Sequence, residues 1–334
     1  MKLLIITQKV YKNDDILGFF HRWLIEFSKN VESLTVICLE KGEYDLPENV
    51  RVLSLGKERG VGKSFFGRIF TKIGYIKNLF KYLWVERKNY DTVFVHMNPI
   101  YLVVAGWFLK VLGKRMFLWY THKNVDFKLK FSSIFVQNIF TASDKSLRFN
   151  TPKKVVTGHG IDTTLFQPDG NVLRENIILT VGRVSEIKQN IEMLDLLKKH
   201  PELKLVVVGE PITEQDKKYF NLFKEYILNN DLSEKVEFVG SLSQEKLPPY
   251  YMRAKVFVNL SKTGSLDKAV LEALSMNVPV YTTNDALIGG DFPIFKNFEE
   301  ALISTKQTHS FIVENHSLEK LVTFLISKMS NKKI

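Results

Sequence analysis

The stretch IILTVGRVSEIK, residues 177–188, decides the fold class of the C-terminal half. Its first five residues are apolar or β-branched and predict a buried strand, which Gly182 ends. Arg183 and Lys188 follow on one short loop. Because ligands of open parallel sheets lie beyond the carboxyl ends of the strands, this loop is predicted to bind one. An arginine fork and a lysine point charge suit a diphosphate, although cations on loops are also common surface residues.

Outward from this strand, short apolar runs alternate with helical stretches in both directions, which predicts an α/β protein with parallel sheets. A length of 334 residues suits two domains. The break is expected where Gly, Asp, Thr and Pro collect between residues 158 and 170. The predicted parts are an N-terminal domain, a linker, a C-terminal domain and a final helix that packs toward the N-terminal domain, over residues 1–158, 159–170, 171–315 and 316–334. Four helices used below are predicted at Leu17–Lys29, Phe66–Arg87, Glu214–Asn229 and Ala269–Ser275.

The positive charge is unevenly distributed along the chain. Residues 1–160 hold 26 Lys and Arg against 13 Asp and Glu, whereas residues 161–334 hold 21 against 23. Residues 57–88 carry nine basic and two acidic residues, with aromatic residues between them. Such a segment favours binding to a membrane surface, because cations meet anionic headgroups while aromatic rings settle at the interface. A solvated helix whose aromatics pack inward and a nucleic-acid surface are the alternatives.

Several other classes of site are disfavoured. Gly56 to Ser64 resembles a phosphate-binding P-loop, but five residues rather than four separate Gly56 from Gly62. The first strand-to-helix turn has Gly18 as its only glycine, which argues against NAD or FAD. One cysteine and scattered histidines predict no metal site. Without a recognisable signal or a membrane-length apolar run, the chain is expected to be cytoplasmic, with peripheral binding to the inner face of the cell membrane.

A second segment with chemistry runs from Ser261 to Leu274, between two predicted strands. Ser265 is predicted to be the N-cap of a helix whose free amides face anionic groups. Glu272, further along that helix, could accept both hydroxyls of a ribose. The alternatives are an i, i+4 pair between Lys268 and Glu272, and a first-turn role for Asp267 in stabilising the helix dipole.

Together these segments resemble glycosyltransferase family 4, the retaining group 1 glycosyltransferases. Gly160-Ile161-Asp162 and Phe166-Gln167-Pro168 resemble the interdomain segment of that family. Gly182-Arg183 with Lys188 resembles its diphosphate clamp, and Glu272-Ala273 with Pro279-Val280 resembles the end of its Glu-x7-Glu motif. The resemblance covers essentially the whole chain. It implies the GT-B fold, an α/β architecture of two facing Rossmann-like domains with parallel sheets.

The resemblance also implies an activity: metal-independent, retaining transfer of a hexose from a UDP- or GDP-linked donor to a hydroxyl, with no cofactor. Lipid-linked or membrane-associated glycans are the expected acceptors, because the N-terminal half is basic. His122, just past a strand, corresponds to a histidine that faces the donor sugar and joins Arg183 and Lys188 as a catalytic residue. The implied nucleotide-sugar-binding residues are Gly18, Gly182, Gly264, Ser265, Leu266, Asp267 and Glu272.

One departure from the family pattern concerns the sugar. Gly264 stands where the first glutamate of the motif contacts the sugar, and Asp267 replaces a glycine three positions later. Asp267 could supply the missing carboxylate, or the amides of residues 264–266 could hold the sugar hydroxyls. A catalytically degenerate binding subunit and a sugar-nucleotide epimerase on the same fold are the alternative functions. Asp14 and Asp15 could meet acceptor hydroxyls or equally cap the helix near Leu17.

Overall fold

The protein is described from a computed structural model that covers residues 1–14, 16–60, 62, 64–170, 172–262, 264–288 and 290–330. The chain divides into two compact units. The N-terminal unit comprises residues 1–160 together with the last helix, from residue 318 onward, and the C-terminal unit comprises residues 161–317. Both units are α/β, as the alternating sequence pattern predicts. None of the helices in these described ranges is long and apolar enough to cross a bilayer.

The N-terminal unit is built on a parallel sheet with the strand order β3-β2-β1-β4-β5-β6-β7. The central strand is apolar on both faces, and Leu3 to Ile6 are at most 1% exposed, as expected for a parallel strand covered by helices on both sides. The strands are β1 (Lys2–Val10), β2 (Ser33–Lys41), β3 (Val50–Ser54), β4 (Thr92–His96), β5 (Arg115–Trp119), β6 (Asn138–Thr141) and β7 (Lys154–Val156).

The helices of this unit include one that comes from the far end of the chain. They are α1 (Phe19–Lys29), α2 (Phe65–Val85), α3 (Ile100–Val111), α4 (Phe127–Ser132) and α12 (Leu318–Ser330). Helix α12 packs on α1 with Leu318, Leu321 and Leu325 buried. Gly160 makes room for this packing, because a Cβ there would lie 2.8 Å from Leu321 Cδ2.

The C-terminal unit has a second parallel sheet, with the strand order β10-β9-β8-β11-β12. Its strands are β8 (Glu175–Val181), β9 (Lys204–Val208), β10 (Val236–Gly240), β11 (Ala254–Asn259) and β12 (Val280–Thr282). The helices are α5 (Leu194–Lys199), α6 (Glu214–Asn229), α7 (Pro248–Arg253), α8 (Lys268–Ser275), α9 (Asp285–Ile288), α10 (Phe298–Ile303) and α11 (His309–Asn315). Leu205, Val207 and Val256 lie in the core beneath α5 and α6.

In each sheet the strand order reverses at the first strand of the unit. β1 lies between β2 and β4, and β8 lies between β9 and β11. Such a switch point leaves a crevice outside the carboxyl ends of the two diverging strands, where ligands of open α/β sheets bind. The fold therefore directs attention to the loops that follow β8 and β11, which carry the residues singled out in the sequence.

The predicted N-cap at Ser265 is wrong. Helix α8 begins at Lys268, and Asp267 is its N-cap residue with β-region backbone angles. Gly264 has φ +59°, so the chain turns sharply there, and the Ser265 carbonyl accepts a hydrogen bond from Asn284 Nδ2 at 3.0 Å. This contact holds residue 265 outside the helix, so the N-cap lies two residues later than predicted, while the predicted helix Ala269–Ser275 agrees with the observed bounds to within one residue.

Candidate active site

The strongest candidate site lies at the switch point of the C-terminal sheet. The loop after β8 contains Gly182, Arg183 and Lys188, and the loop after β11 leads to Asp267 at the start of α8. The two loops are joined directly, since the Lys262 amide donates to the Ile187 carbonyl at 3.0 Å. Residues that are 79 positions apart in the sequence therefore share one crevice.

Three glycines shape the carboxyl edge of this sheet. Gly182 follows β8, Gly209 follows β9, and Gly240 ends β10. Their φ values are +137°, +137° and +81° in that order, which residues with side chains rarely adopt. A Cβ at Gly209 would lie 2.0 Å from the Gly182 carbonyl oxygen, so only glycine permits this backbone approach. A Cβ at Gly182 would lie 3.8 Å from Lys188 Nζ. The absence of a side chain at Gly182 therefore leaves space next to the Lys188 ammonium.

Lys188 forms an ion pair with Asp267 across the crevice. The two side chains are largely enclosed, with exposed fractions of 18% and 15%. Asn259, at the end of β11 and almost fully buried, donates to the same Asp267 oxygen at 2.9 Å. Ion pairs that are partly withdrawn from water have less solvent screening, so this contact holds the ammonium in a defined place. Asp267 therefore fixes Lys188 and does not cap α8 with its side chain.

Gly264 lies in the loop between β11 and α8, in a backbone conformation where a residue with a side chain would be strained. Its left-handed φ of +59° costs a residue with a Cβ roughly 1–2 kcal/mol. Asn284, which is fully buried after β12, holds the following residue through its bond to the Ser265 carbonyl. The carboxylate that enters the crevice from this segment is therefore that of Asp267. Leu266 is buried beside it, with 7% of its surface exposed.

Arg183 opens into an adjoining cleft of about 600 Å³, which is lined also by Ser185, Lys262, Thr213 and Asp216. The Arg183 side chain is 41% exposed, and its Nη1 atom lies 3.8 Å from the Asp216 carboxylate. Burial raises the pKa of Asp216, but hydrogen bonds from Thr213 and the charge of Arg183 together lower it by more. The pKa of Asp216 is therefore below its usual value. Arg183 is thus a partly exposed cation that borders this cleft on the same loop as Lys188.

Glu272 is buried inside the C-terminal unit, with 2% of its surface exposed. Its carboxylate accepts hydrogen bonds from Gln244 Nε2 and from the Tyr251 hydroxyl, each at 3.0 Å. Lys268 lies 3.5 Å away, which is the i, i+4 pair that the sequence offered as an alternative to a ribose contact. Gln244 Oε1 is buried without a hydrogen-bond partner in the described part of the chain, so this oxygen can accept a hydrogen bond from a ligand.

His122 belongs to the N-terminal unit, where it follows β5 by three residues. Its side chain is exposed, and its ring centroid lies 6.1 Å from that of Tyr120. The Tyr120 hydroxyl donates to the Asn124 carbonyl at 2.8 Å and so shapes the loop that carries the histidine. An exposed histidine on a braced loop is available to a ligand.

The other N-terminal candidates have structural partners. Asp14 accepts from the Leu17 and Ile16 amides at 2.7 and 3.1 Å and pairs with Lys9 at 2.8 Å, so its carboxylate stabilises the loop before α1, whose N-cap residue is Gly18. Asp15 lies outside the described residues. Gly18 is required sterically, because a Cβ would lie 2.4 Å from the Asp14 carbonyl oxygen. The P-loop-like stretch also contains two residues, 61 and 63, that lie outside the described ranges.

Some residues of interest gave no sequence signal. Asn259, Asn284 and Gln244 contact the candidate residues, but amides at strand ends or in loops are too common to single out. His96, at the switch point of the N-terminal sheet, stacks on Phe20 with ring centroids 3.8 Å apart, and burial lowers its pKa to about 3. It is therefore neutral near pH 7. Across the described residues, no cluster of three His, Cys, Asp or Glu side chains could hold a metal ion.

Comparisons with known proteins agree on the fold. Two similar solved structures are the Anabaena protein Alr3699/HepE in complex with UDP and glucose, and sucrose-phosphate synthase from Thermosynechococcus elongatus. The first gives a TM-score of 0.74 at 14% identity and covers 99% of both chains. The second gives a TM-score of 0.72 at 14% identity and covers 98% of both. The two parallel sheets are those of the GT-B fold, as predicted.

The sequence comparisons each cover part of the chain. A curated relative, mannosylfructose-phosphate synthase from Agrobacterium fabrum strain C58, is 29% identical over 140 residues. That alignment covers 37% of this chain and 31% of the relative, so the chain matches under a third of the relative's length. Residues 162–327, which include the loop of Lys188 and the segment from Gly264 to Glu272, match the family model for glycosyl transferases group 1. Over these residues the chain belongs to the group 1 glycosyl transferases, as its sequence motifs indicated.

Proposed function

We propose that this protein transfers a sugar from a nucleoside diphosphate sugar to a hydroxyl acceptor with retention of configuration. The observation that carries the proposal is the pair of Lys188 and Asp267 at the switch point of the C-terminal sheet. A diphosphate needs a fixed cation and close backbone, which Lys188 and Gly182 supply. A sugar needs hydrogen-bond acceptors beside that cation, which Asp267 supplies. Both requirements are met within one crevice.

In the proposed reaction, the bond between the anomeric carbon and the diphosphate oxygen breaks, and the acceptor oxygen attacks from the same face. The acceptor proton passes to the leaving phosphate, so the reaction needs no separate base and no metal. Lys188 and Arg183 stabilise the negative charge that develops on the departing diphosphate, as preorganised cations do in other transfer reactions. The positive end of the α8 dipole favours the same negative charge.

The remaining candidates divide the donor between them. Gly264 stands where the family has a glutamate. The Asp267 carboxylate replaces that glutamate and accepts hydrogen bonds from the sugar hydroxyls. Glu272 and the unpartnered oxygen of Gln244 meet the ribose, since a ribose hydroxyl donating to that oxygen would remove the cost of leaving it unsatisfied. His122 orients the donor sugar. The donor is UDP- or GDP-linked, and the transferred group is a hexose.

The proposed acceptor is a lipid-linked or membrane-associated glycan, reached by peripheral binding at the inner face of the membrane. The support is the charge distribution, because the N-terminal half carries twice as many basic as acidic residues while the C-terminal half is nearly balanced. A basic surface raises the local concentration of an anionic acceptor and of the membrane that carries it.

A nucleotide titration tests the proposal. UDP, GDP and their hexose conjugates are added while thermal unfolding is followed, and a ligand at 100 times its dissociation constant adds about 2.7 kcal/mol of stability. We expect one nucleotide to raise the Tm, Arg183→Ala to weaken that shift, and Lys199→Ala, an exposed cation on α5, to leave it unchanged. Slow hydrolysis of the matching nucleotide sugar should accompany binding. Absence of any shift would contradict the proposal, whereas binding without turnover would indicate a degenerate binding subunit.

A further inference from the structure

The first three turns of α2 do not contribute to the core of the N-terminal unit. All 21 residues of this helix are described, and its buried residues are Leu79 and Leu83, both in its second half. The apolar side chains of the first half are instead exposed, by 39% to 73%. We call them the α2 face: Phe65, Phe66, Ile69, Phe70, Ile73 and Ile76. So many large apolar side chains close together on a surface indicate an interaction site.

Cations border the α2 face on both sides. At about 100° per residue, Arg68 and Lys72 fall on one edge of the face and Lys81 on the other, while Lys77 falls within the face, between Phe66 and Phe70. All four are exposed, and none has an ion-pair partner within the described part of the chain. The helix itself contains no acidic residue. This arrangement is an apolar stripe with positive charge at both edges and one lysine within it.

Aromatic side chains extend the face onto α3. Trp107 is 54% exposed, and its ring centroid lies 6.1 Å from that of Phe80 on α2. Trp84, at the end of α2, is 51% exposed and carries the Arg87 guanidinium 3.9 Å above its ring. Tryptophan rings next to cations are typical of proteins that settle at the boundary between headgroups and acyl chains.

We propose that the α2 face binds the surface of an anionic phospholipid bilayer, with α2 lying in the plane of the interface. A bilayer meets both halves of the pattern, because acyl chains receive the phenylalanines while phosphate groups receive the lysines. A nucleic acid offers phosphates without an apolar layer. A second copy of the chain would bring like charges together along both edges of the face.

The purpose of this contact, bringing the N-terminal unit to a lipid-linked acceptor, rests on the proposed function. The contact itself does not, since it needs neither donor nor acceptor. Binding to vesicles and the nucleotide-induced shift of the Tm are therefore separate measurements, and either can fail while the other succeeds.

Flotation with lipid vesicles tests the proposal on the full chain. We expect binding to vesicles of phosphatidylcholine with phosphatidylglycerol and much weaker binding to phosphatidylcholine alone. Phe66→Ser with Phe70→Ser should lower the partition coefficient by about tenfold or more for each phenylalanine withdrawn from the interface. The matched control is Leu222→Ser with Leu228→Ser, two exposed apolar residues on α6, and it should bind as the wild type does. Equal loss in both double variants would overturn the proposal.

A charge series separates the lipid surface from other partners. Lys72→Gln and Lys77→Gln should each weaken binding to anionic vesicles about fivefold and reduce its salt dependence. Light scattering and a labelled DNA duplex are measured in parallel. If the wild type binds no vesicles but forms dimers that the phenylalanine variant dissociates, or binds DNA through the same lysines, the bilayer is the wrong partner.

Discussion

Lys188 in the C-terminal unit and Lys72 on α2 carry the same charge in opposite surroundings. Lys188 is enclosed and paired with Asp267, which Asn259 holds in turn. Lys72 is exposed, and within the described residues no carboxylate pairs with it. A cation held by neighbours has one position and suits a ligand of fixed geometry. A cation on a mobile exposed stem contributes to a field that any anionic surface can use.

The comparison shows that a count of basic residues does not distinguish a binding site from a binding surface. The N-terminal half holds the excess positive charge, yet the enclosed cation of the candidate site lies in the nearly neutral half. What distinguishes the two regions is the set of partners around each charge. Substitutions should therefore have different consequences in the two regions, in affinity at the crevice and in adsorption at the α2 face.

The largest effect is expected for Lys188→Ala. Removing the ammonium withdraws a charged hydrogen bond from the diphosphate and leaves the Asp267 carboxylate facing it, so nucleotide affinity should fall at least about 100-fold, or roughly 3 kcal/mol. Isothermal titration with the nucleotide that stabilises the wild type measures the loss. Lys199→Ala provides the control. An unchanged dissociation constant would show that the enclosed lysine does not bind the nucleotide.

Asp267→Asn should separate binding from transfer. Loss of a negative charge near the diphosphate should tighten binding of the free nucleoside diphosphate by up to about fivefold. Two like charges about 4 Å apart in water repel each other by about 1 kcal/mol. Turnover of the nucleotide sugar should fall about tenfold, because its hydroxyls lose a charged acceptor. Steady-state kinetics beside the titration measures both. If affinity and turnover fall together, Asp267 acts only by holding Lys188.

The elements that could be predicted from sequence are those with local signals. The helix predicted at Glu214–Asn229 is observed with the same bounds, because Thr213 and Asp216 form a reciprocal capping box that can be read within four residues. The loop carrying Lys188 was found because glycine and cations follow an apolar run. Repeated alternation predicted parallel α/β sheets, and the resemblance to glycosyltransferase family 4 implied the GT-B fold.

The remaining features depend on contacts between distant residues. The N-cap of α8 was misjudged because serine before a helix is a general capping signal, whereas Asn284, 19 residues away, fixes the Ser265 carbonyl. The Lys188 and Asp267 pair joins positions 79 apart. The exposure of the α2 face could not be read either, because the same aromatic residues would suit a helix packed inward. Only the fold decides which face of α2 meets the core.

A smaller effect, on the free energy of unfolding, is expected from replacing Asp216 beside the cleft. Asp216→Asn should cost about 1 kcal/mol at neutral pH, because its carboxylate accepts the Thr213 amide at the start of α6. Since the folded pKa of Asp216 lies below its ordinary value of 3.8, this stabilisation is present above that value. It is lost as the pH falls through the folded pKa. Urea unfolding at neutral and acid pH should show the difference disappearing in acid, while Glu225→Gln on the same helix changes little.

The smallest effect should come from the α2 face itself. Phe66 and Phe70 are 70% and 71% exposed, so replacing both with serine withdraws no core contact and should change the free energy of unfolding by less than about 0.5 kcal/mol. Urea unfolding in the absence of lipid measures this. The same double variant is expected to lose vesicle binding. The two phenylalanines would then contribute to lipid binding and not to the stability of the fold. A destabilisation of several kcal/mol would instead place these rings in the folded core and remove the contrast between the two regions.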